Sequence, residues 1–571
     1  MDRKNLYLFI LIIFIFGFVA RFYSITSHYT EVDDIGIAKT IMDSRNSTFI
    51  ENIYNPEHPT YNKEYKELIR SKFNKDDFSL KIIRKIYHYL TVPFYWTYAP
   101  LQFVFTSFIV PYADTYNEFK FFGRLPSLII SIISFPFFII LSLKLFNNSK
   151  IYLNIISSSL FFLSWEYILM SQLMFNYAFA VLSITIIILY LFKTIKQKNN
   201  KYIVNGIKTG SVLSFFVYAQ YQILIVIPVF ISTMIFQSFK ITEKKDKIEL
   251  YKVIIISIFF SFIFSLPAYI WISINSFDVI TNSEYAGLNG EFVFNWNNFF
   301  NSYLYLPKFF LNSFYIASSR TIAFVSEDNI FFNYIYIFFC ILIVVGLISF
   351  LKDKDENCNI FGKFSLFLFL FWIILALAQK IDISPTRHFL IFLPILCLLF
   401  TKGVEFLIYQ IFKKNSKIIY IKIISIVFFI SLLISFLGSY SNVMENRKDM
   451  FIEKEFVELI KKYNVSEILI YDNYLANPQL MPELNKREIG IHYMSGPYAN
   501  FKMNNKIQSI MFISNMFQIK NSIIANKFIQ DNLKNWKKAY MVEEVKDVEL
   551  EFSRLTHQTG NKLYIYIFIK N

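Results

Sequence analysis

A series of apolar runs, each near the length needed to cross a lipid bilayer, leaves few folds open to this chain. They fall at roughly 5–23, 123–146, 151–168, 172–192, 203–219, 221–239, 252–274, 331–351, 363–380, 387–407 and 417–438. A membrane-crossing helix needs about 20 apolar residues, and lipid obliges every backbone polar group to find its partner inside the segment. A soluble core could not hide this much apolar surface, since 55% of the 571 residues are hydrophobic and 68 residues are Phe. The chain is therefore expected to be a polytopic α-helical membrane protein with about eleven transmembrane helices. The first run, Leu6 to Phe22, has no small-residue cleavage site after it and reads as a retained span.

The loops set the orientation. The formal charge of +15 would suit nucleic acid, but the lysines are distributed over short loops between the runs. With the N-terminus inside, segments 193–208 (five Lys, no acid), 240–252 (five Lys), 352–363 and 413–422 all fall on the inner side. The turns "EYILMSQ" and "YAQYQ" fall outside and carry neither Lys nor Arg. This is the positive-inside pattern of a cell membrane, expected here to be a bacterial inner membrane, and it excludes nucleic acid as the partner. Cys340, Cys358 and Cys397 give no disulfide framework or metal-knuckle spacing.

Two further apolar stretches are expected on the outer face as interfacial helices. Residues 92–111 are interrupted by Pro93, Pro100 and Pro111, and counting them as a span would invert every later loop. Residues 291–317 mix Asn with aromatics, which suits the headgroup zone. Two large outer loops result, at 24–122 and 275–330, and an insert at about 45–92 holds an amphipathic basic helix at 68–90 expected to lie on anionic headgroups. From residue 440 to 571 the composition becomes that of a soluble domain, with a helix in "FIEKEFVELIKKY" and strands in "SEILIYD", "IQSIMFIS" and "KLYIYIFI". A transmembrane module over 1–439 followed by an extracytoplasmic α/β domain over 440–571 is the expected organisation.

Within the first outer loop, "TEVDDIGIAKTIM" carries Glu31, Asp33 and Asp34 ahead of Ile35, Ala38 and Ile41, which share one helical face. Carboxylates there would cap a short surface helix and stand ready as a general base or ligand. Arg124, in "FKFFGRLPSLIISI", goes against the charge bias of the outer face; it is either a snorkelling arginine or an anion site. Arg387 and His388 open the run at 387–407 on the same side, with Arg320 and Lys308 in the second outer loop. A lone His at a helix start is more often structural than catalytic.

Read in order, Asp33-Asp34, then Ala99-Pro100-Leu101, then Arg124-Leu125-Pro126-Ser127, and later "RHFLIFLP" at 387–394, resemble the layout of the C-type membrane glycosyltransferases (GT-C fold). The likeness is greatest to their protein O-mannosyltransferase and aminoarabinose-transferase branch, and it covers roughly 20–440. That family usually has Asp-Glu in place of Asp33-Asp34 and Arg-Tyr in place of Arg387-His388. The resemblance implies transfer of a hexose or pentose, with inversion, from a polyprenyl-phosphate donor to a glycan, lipid or protein acceptor on the outer face. It implies Asp33 as base and Asp34 as its partner. Arg124, Arg387, Arg320 and Lys308 would take the donor phosphate, and His388 and Pro100 would lie near donor or acceptor. No cofactor is required by this scheme and no metal ligands are assigned, although a divalent metal on the carboxylates is compatible with it. The alternative class is a polytopic transporter or flippase of envelope glycan precursors, which calls for ionisable groups at mid-membrane depth and often an inverted repeat.

Overall fold

The computed structural model describes residues 3–23, 25, 101–102, 105–106, 115–147, 150–174, 176–196, 201–281, 296–302, 330–378, 387–411, 427, 453–470, 489–493, 507–514, 523–542 and 564–570. The chain divides into two compact units, one of Met1–Tyr23, Thr97–Gln102 and Ser127–Tyr440, the other of Ser24–Trp96, Phe103–Pro126 and Ser441–Asn571.

The first unit is helical. In chain order its described helices are α1 (Arg3–Tyr23), α2 (Tyr116–Phe146, which runs in from the second unit), α3 (Ile151–Phe162), α4 (Trp165–Ser171), α5 (Tyr177–Lys196), α6 (Tyr202–Ala219) and α7 (Ile223–Ser238). Then follow α8 (Lys244–Thr281), α9 (Trp296–Asn301), α10 (Ile330–Leu351), α11 (Glu356–Leu377), a 3-10 turn (Arg387–Phe392) and α12 (Leu393–Ile411). Among the described residues five segments are long and apolar enough to cross a membrane: Asn117–Phe146, Tyr177–Lys196, Lys244–Ala268, Glu356–Leu377 and Phe389–Gln410. Two of these are central, Tyr177–Lys196 with 72% and Phe389–Gln410 with 78% of the apolar window buried, whereas Lys244–Ala268 at 33% lies at the periphery.

Small residues decide which helices touch. Gly206 and Gly210, four apart on one face of α6, let α6 lie directly along α8. A Cβ added at Gly210 would stand 2.7 Å from Phe260 Cβ and 3.0 Å from the Ser257 carbonyl oxygen. Ser214 Oγ then donates across to Ser261 O at 3.0 Å, the small-residue packing with polar glue that helices in lipid use. Gly346 of α10 and Gly403 of α12 likewise face the backbone of Leu399 and Leu342, and a Cβ at either would collide with the carbonyl opposite.

One expected run folds differently from a single span. The stretch 151–168 breaks in the middle: α3 stops at Phe162, and Ser164 caps α4 by accepting the Tyr167 N–H at 3.5 Å. At 12 residues α3 is about 18 Å long, short of the roughly 30 Å hydrocarbon thickness. The run at 387–407 opens as a 3-10 turn before α12, and the run at 417–438 lies outside the described residues apart from Val427.

In the second unit, α13 (Glu453–Lys462) precedes β1 (Glu467–Ile470), β2 (Gly490–Tyr493), β3 (Ser509–Ser514), α14 (Ile523–Asn532), β4 (Lys537–Val542) and β5 (Tyr564–Ile569). The sheet order is β2-β1-β3-β5-β4, with β1 parallel to β2 and β3, and β5 antiparallel to both of its neighbours. Asn464, at φ +46°, turns the chain from α13 into β1, a left-handed position that Asn tolerates. Leu469, Ile510, Phe512, Tyr566 and Phe568 form one apolar face, and Phe528 and Ile529 of α14 pack onto it.

Candidate functional site

The start of α2 is fixed by a reciprocal capping box. Glu118 N donates to Thr115 Oγ1 at 3.2 Å and Thr115 N donates to Glu118 Oε2 at 3.3 Å, so two helix-end donors are met at once. Two turns further on, Arg124 is fully buried, and its Nη1 donates to the Ile25 carbonyl at 2.7 Å. That bond spans 99 residues of sequence and holds the chain where it leaves α1 and enters the segment bearing Asp33.

Asp33, Asp34, Pro100, Lys308 and Arg320 lie outside the described residues. The backbone of Arg387 and His388 forms the first two positions of the 3-10 turn, and their side chains lie outside the description. The turn itself is anchored by aromatics. Phe392 stacks on Phe369 at 5.1 Å and meets Trp372 edge-on at 4.9 Å, while Phe389 stacks on Phe392 at 4.5 Å. Arg124 is thus the one expected site residue with a described side chain, and no two of them are brought together within the described residues.

A cation absent from the sequence reading stands at the end of α1. Arg21 is fully buried. Its Nη1 donates to Gly17 O at 3.0 Å and to Phe162 O at 2.8 Å, capping the C-terminus of α3. The guanidinium lies 4.1 Å from the Phe162 ring centroid and 5.0 Å from that of Tyr167, within cation–π range. Tyr167 is itself held by Ser134, Oη to Oγ at 2.6 Å. Gln172 Nε2 returns the tie by donating to the carbonyls of Ala20 and Arg21, both at 3.0 Å. Nε and Nη2 of Arg21 have no hydrogen-bond partner among the described residues. Those two nitrogens form the edge through which arginine grips a carboxylate or phosphate bidentately. The signal was in the sequence: Arg21, like Arg124, is a cation at one end of an apolar run.

No family model matches the chain, and no curated protein does. Among solved structures it is similar to the crystal structure of an Archaeoglobus fulgidus oligosaccharyltransferase in complex with zinc and sulfate. The TM-score is 0.45 and the identity 11%, over 74% of this chain and 60% of that one. The chain thus spans less than two thirds of the length of that structure.

At the lysine-rich end of the helical unit a different arrangement appears. Lys402 Nζ donates to Asp353 Oδ2 at 2.8 Å and to Glu405 Oε2 at 2.9 Å, and Lys150 pairs with Glu405. Burial pushes the Asp353 carboxyl up, but Lys402, the Asp355 N–H and Lys150 together outweigh it and hold the group below its ordinary value. Among the described residues no group of three His, Cys, Asp or Glu side chains forms a metal-binding set.

Proposed function

We propose that this chain is an integral-membrane glycosyltransferase that moves a hexose or pentose from a polyprenyl-phosphate donor to a glycan, lipid or protein acceptor on the outer membrane face. The tie from buried Arg124 to Ile25 carries the reading, because it fixes the root of the loop in which Asp33 follows eight residues later. The GT-C resemblance of the sequence supplies the roles. Asp33 takes the proton of the acceptor hydroxyl as that oxygen attacks the anomeric carbon from the face opposite the phosphate. The bond from the anomeric carbon to the phosphate oxygen breaks, and polyprenyl phosphate leaves with the negative charge. Asp34 orients the acceptor. Arg387, Arg320 and Lys308, with Arg124 at the root of the acidic loop, stabilise the charge developing on the phosphate, and such stabilisation is strongest where water is excluded. His388 and Pro100 border the donor or the acceptor.

Replacing Asp33 by Asn tests the assignment. With a polyprenyl-phosphate sugar as donor, transfer is expected to fall about 10²–10⁴-fold, the usual worth of a general base. Full activity in a folded Asp33→Asn variant would overturn the role. Donor that crosses the bilayer of a reconstituted vesicle without being consumed would favour a flippase instead.

A further inference from the structure

The 3-10 turn at Arg387–Phe392 is 6 residues long. Such turns seldom run beyond about four residues, because their hydrogen bonds are poorly aligned, so something else holds this one. Pro394 is part of the reason. An α-helix continued back from α12 would need residue 394 to donate its N–H to the Leu390 carbonyl. Proline has no N–H to give, and its ring crowds that oxygen. Pro394 thus keeps the α-helix from running on to Arg387 but does not select what replaces it.

Four aromatic rings select it. Phe389 and Phe392 stand three apart, the spacing at which side chains of a 3-10 turn eclipse, and their rings stack at 4.5 Å. Two residues of α11, also three apart, grip this pair. Phe369 stacks on Phe392, and Trp372 meets both rings edge-on, Phe392 at 4.9 Å and Phe389 at 6.4 Å. Offset stacks and edge-to-face contacts at these separations are the arrangements aromatic rings favour. Trp372, Phe389 and Phe392 are all buried. The indole N–H of Trp372 has no hydrogen-bond partner among the described residues. A buried donor left unmet costs free energy, so hydrogen bonding does not account for a tryptophan here. The reach of its ring across two phenylalanines does.

The choice of helix moves Arg387. Each residue rises about 2.0 Å in a 3-10 helix against about 1.5 Å in an α-helix, with about 3.0 against about 3.6 residues per turn. Over the turn, the backbone of Arg387 therefore stands about 3 Å further from α12 than an α-helix would put it, and about a third of a turn further round. A charge that stabilises a transition state does not tolerate that difference, since a misplacement of about 1 Å can cost about 10²-fold in rate. We infer that Trp372, together with Phe369, is a positioning residue, an inference that rests on the glycosyltransferase reading and on the role given there to Arg387. By clamping Phe389 and Phe392 it holds the 3-10 turn and sets where Arg387 meets the donor phosphate.

The test is steady-state sugar transfer from a polyprenyl-phosphate donor by the full-length protein in nanodiscs. Trp372→Leu keeps an apolar side chain but removes the clamp, and kcat is expected to fall about 10²-fold. Trp372→Phe keeps a ring edge on the pair and stays close to wild type. Phe138→Leu breaks a stack of the same kind, with Phe161 at 4.0 Å between α2 and α3, and keeps the wild-type kcat. The deciding comparison is made in Arg387→Gln, where Trp372→Leu lowers kcat no further because the two residues act as one unit. Should Trp372→Leu fail to fold, Phe389→Leu removes the ring on the turn's own side and repeats the cycle. Equal losses with and without Arg387 would make Trp372 a core residue only and overturn the inference. So would wild-type kcat in Trp372→Leu, a Trp372→Phe as slow as Trp372→Leu, or full activity in Arg387→Gln, each of which leaves sugar transfer itself standing. A wild type that moves no sugar from such a donor would instead overturn the glycosyltransferase reading, and the inference with it.

Discussion

Two buried cations of the helical unit are handled in opposite ways. Lys402 sits in a four-membered cluster with Lys150, Asp353 and Glu405, two positive and two negative groups whose charges cancel. Arg21 has carbonyl oxygens and two aromatic rings around it, and no carboxylate among the described residues. Burying a charge costs several kcal/mol unless a partner repays it. The Lys402 cluster repays locally and has the economy of a structural clamp. Arg21 repays only in part, and a charge kept at such cost is retained for geometry or for an anionic partner.

Lys402→Met gives the largest expected effect on stability. It strips Asp353 of its cation and leaves Glu405 with Lys150 alone. Removing one partner of a fully buried pair costs 3–5 kcal/mol; with side chains here 7%, 24% and 18% exposed, about 2 kcal/mol is expected. Thermal unfolding in detergent reads this loss. Adding Asp353→Asn to the variant should return part of the stability, since the remaining Lys150–Glu405 pair is neutral, and a double-mutant cycle isolates the coupling. Additive losses would show that the cluster is not a clamp.

Arg21→Met is the contrasting experiment. Two hydrogen bonds and a cap are lost, but so is the desolvated charge, and the Met side chain refills most of the space. The net change in stability is expected within about 1 kcal/mol, smaller than for Lys402→Met despite deeper burial. Sugar transfer should nevertheless fall in the folded variant, the pattern of a residue whose value lies in function rather than in stability. A destabilisation as large as that of Lys402→Met would make Arg21 a structural cap and remove the contrast.

The comparison also explains what the sequence could and could not reveal. Helices such as α5 and α11 were legible because an apolar run in lipid has one solution. The break at Leu163–Ser164 was missed because hydrophobicity runs straight through it. The only clue was Ser164 with Glu166 behind it, a helix-start signature inside an apolar run. In the sheet, β1, β3 and β5 are the inner strands and read as apolar stretches. The edge strands β2, "GIHY", and β4, "KKAYMV", did not, since edge strands carry polar and charged residues that discourage further pairing. Partner choice was the least legible: nothing local tells that Lys402 meets Asp353, 49 residues away, or that Arg124 meets Ile25 across 99.

The smallest expected effect comes from acidity, and it separates the two cations by a different route. Asp353 is held below its ordinary carboxyl value of 3.8, so its contribution is present above that pH and fades as pH falls through the lower folded value. Asp353→Asn should therefore cost stability at pH 7, about 1 kcal/mol at most for a carboxylate this exposed to solvent, and progressively less in acid. Unfolding midpoints of wild type and Asp353→Asn, measured from pH 7 down to pH 3, should converge. Arg21 has no carboxylate partner among the described residues to protonate, so the difference between wild type and Arg21→Met should stay level over the same range. If that difference also shrinks in acid, a carboxylate is paired with Arg21, and the two cations are neutralised alike.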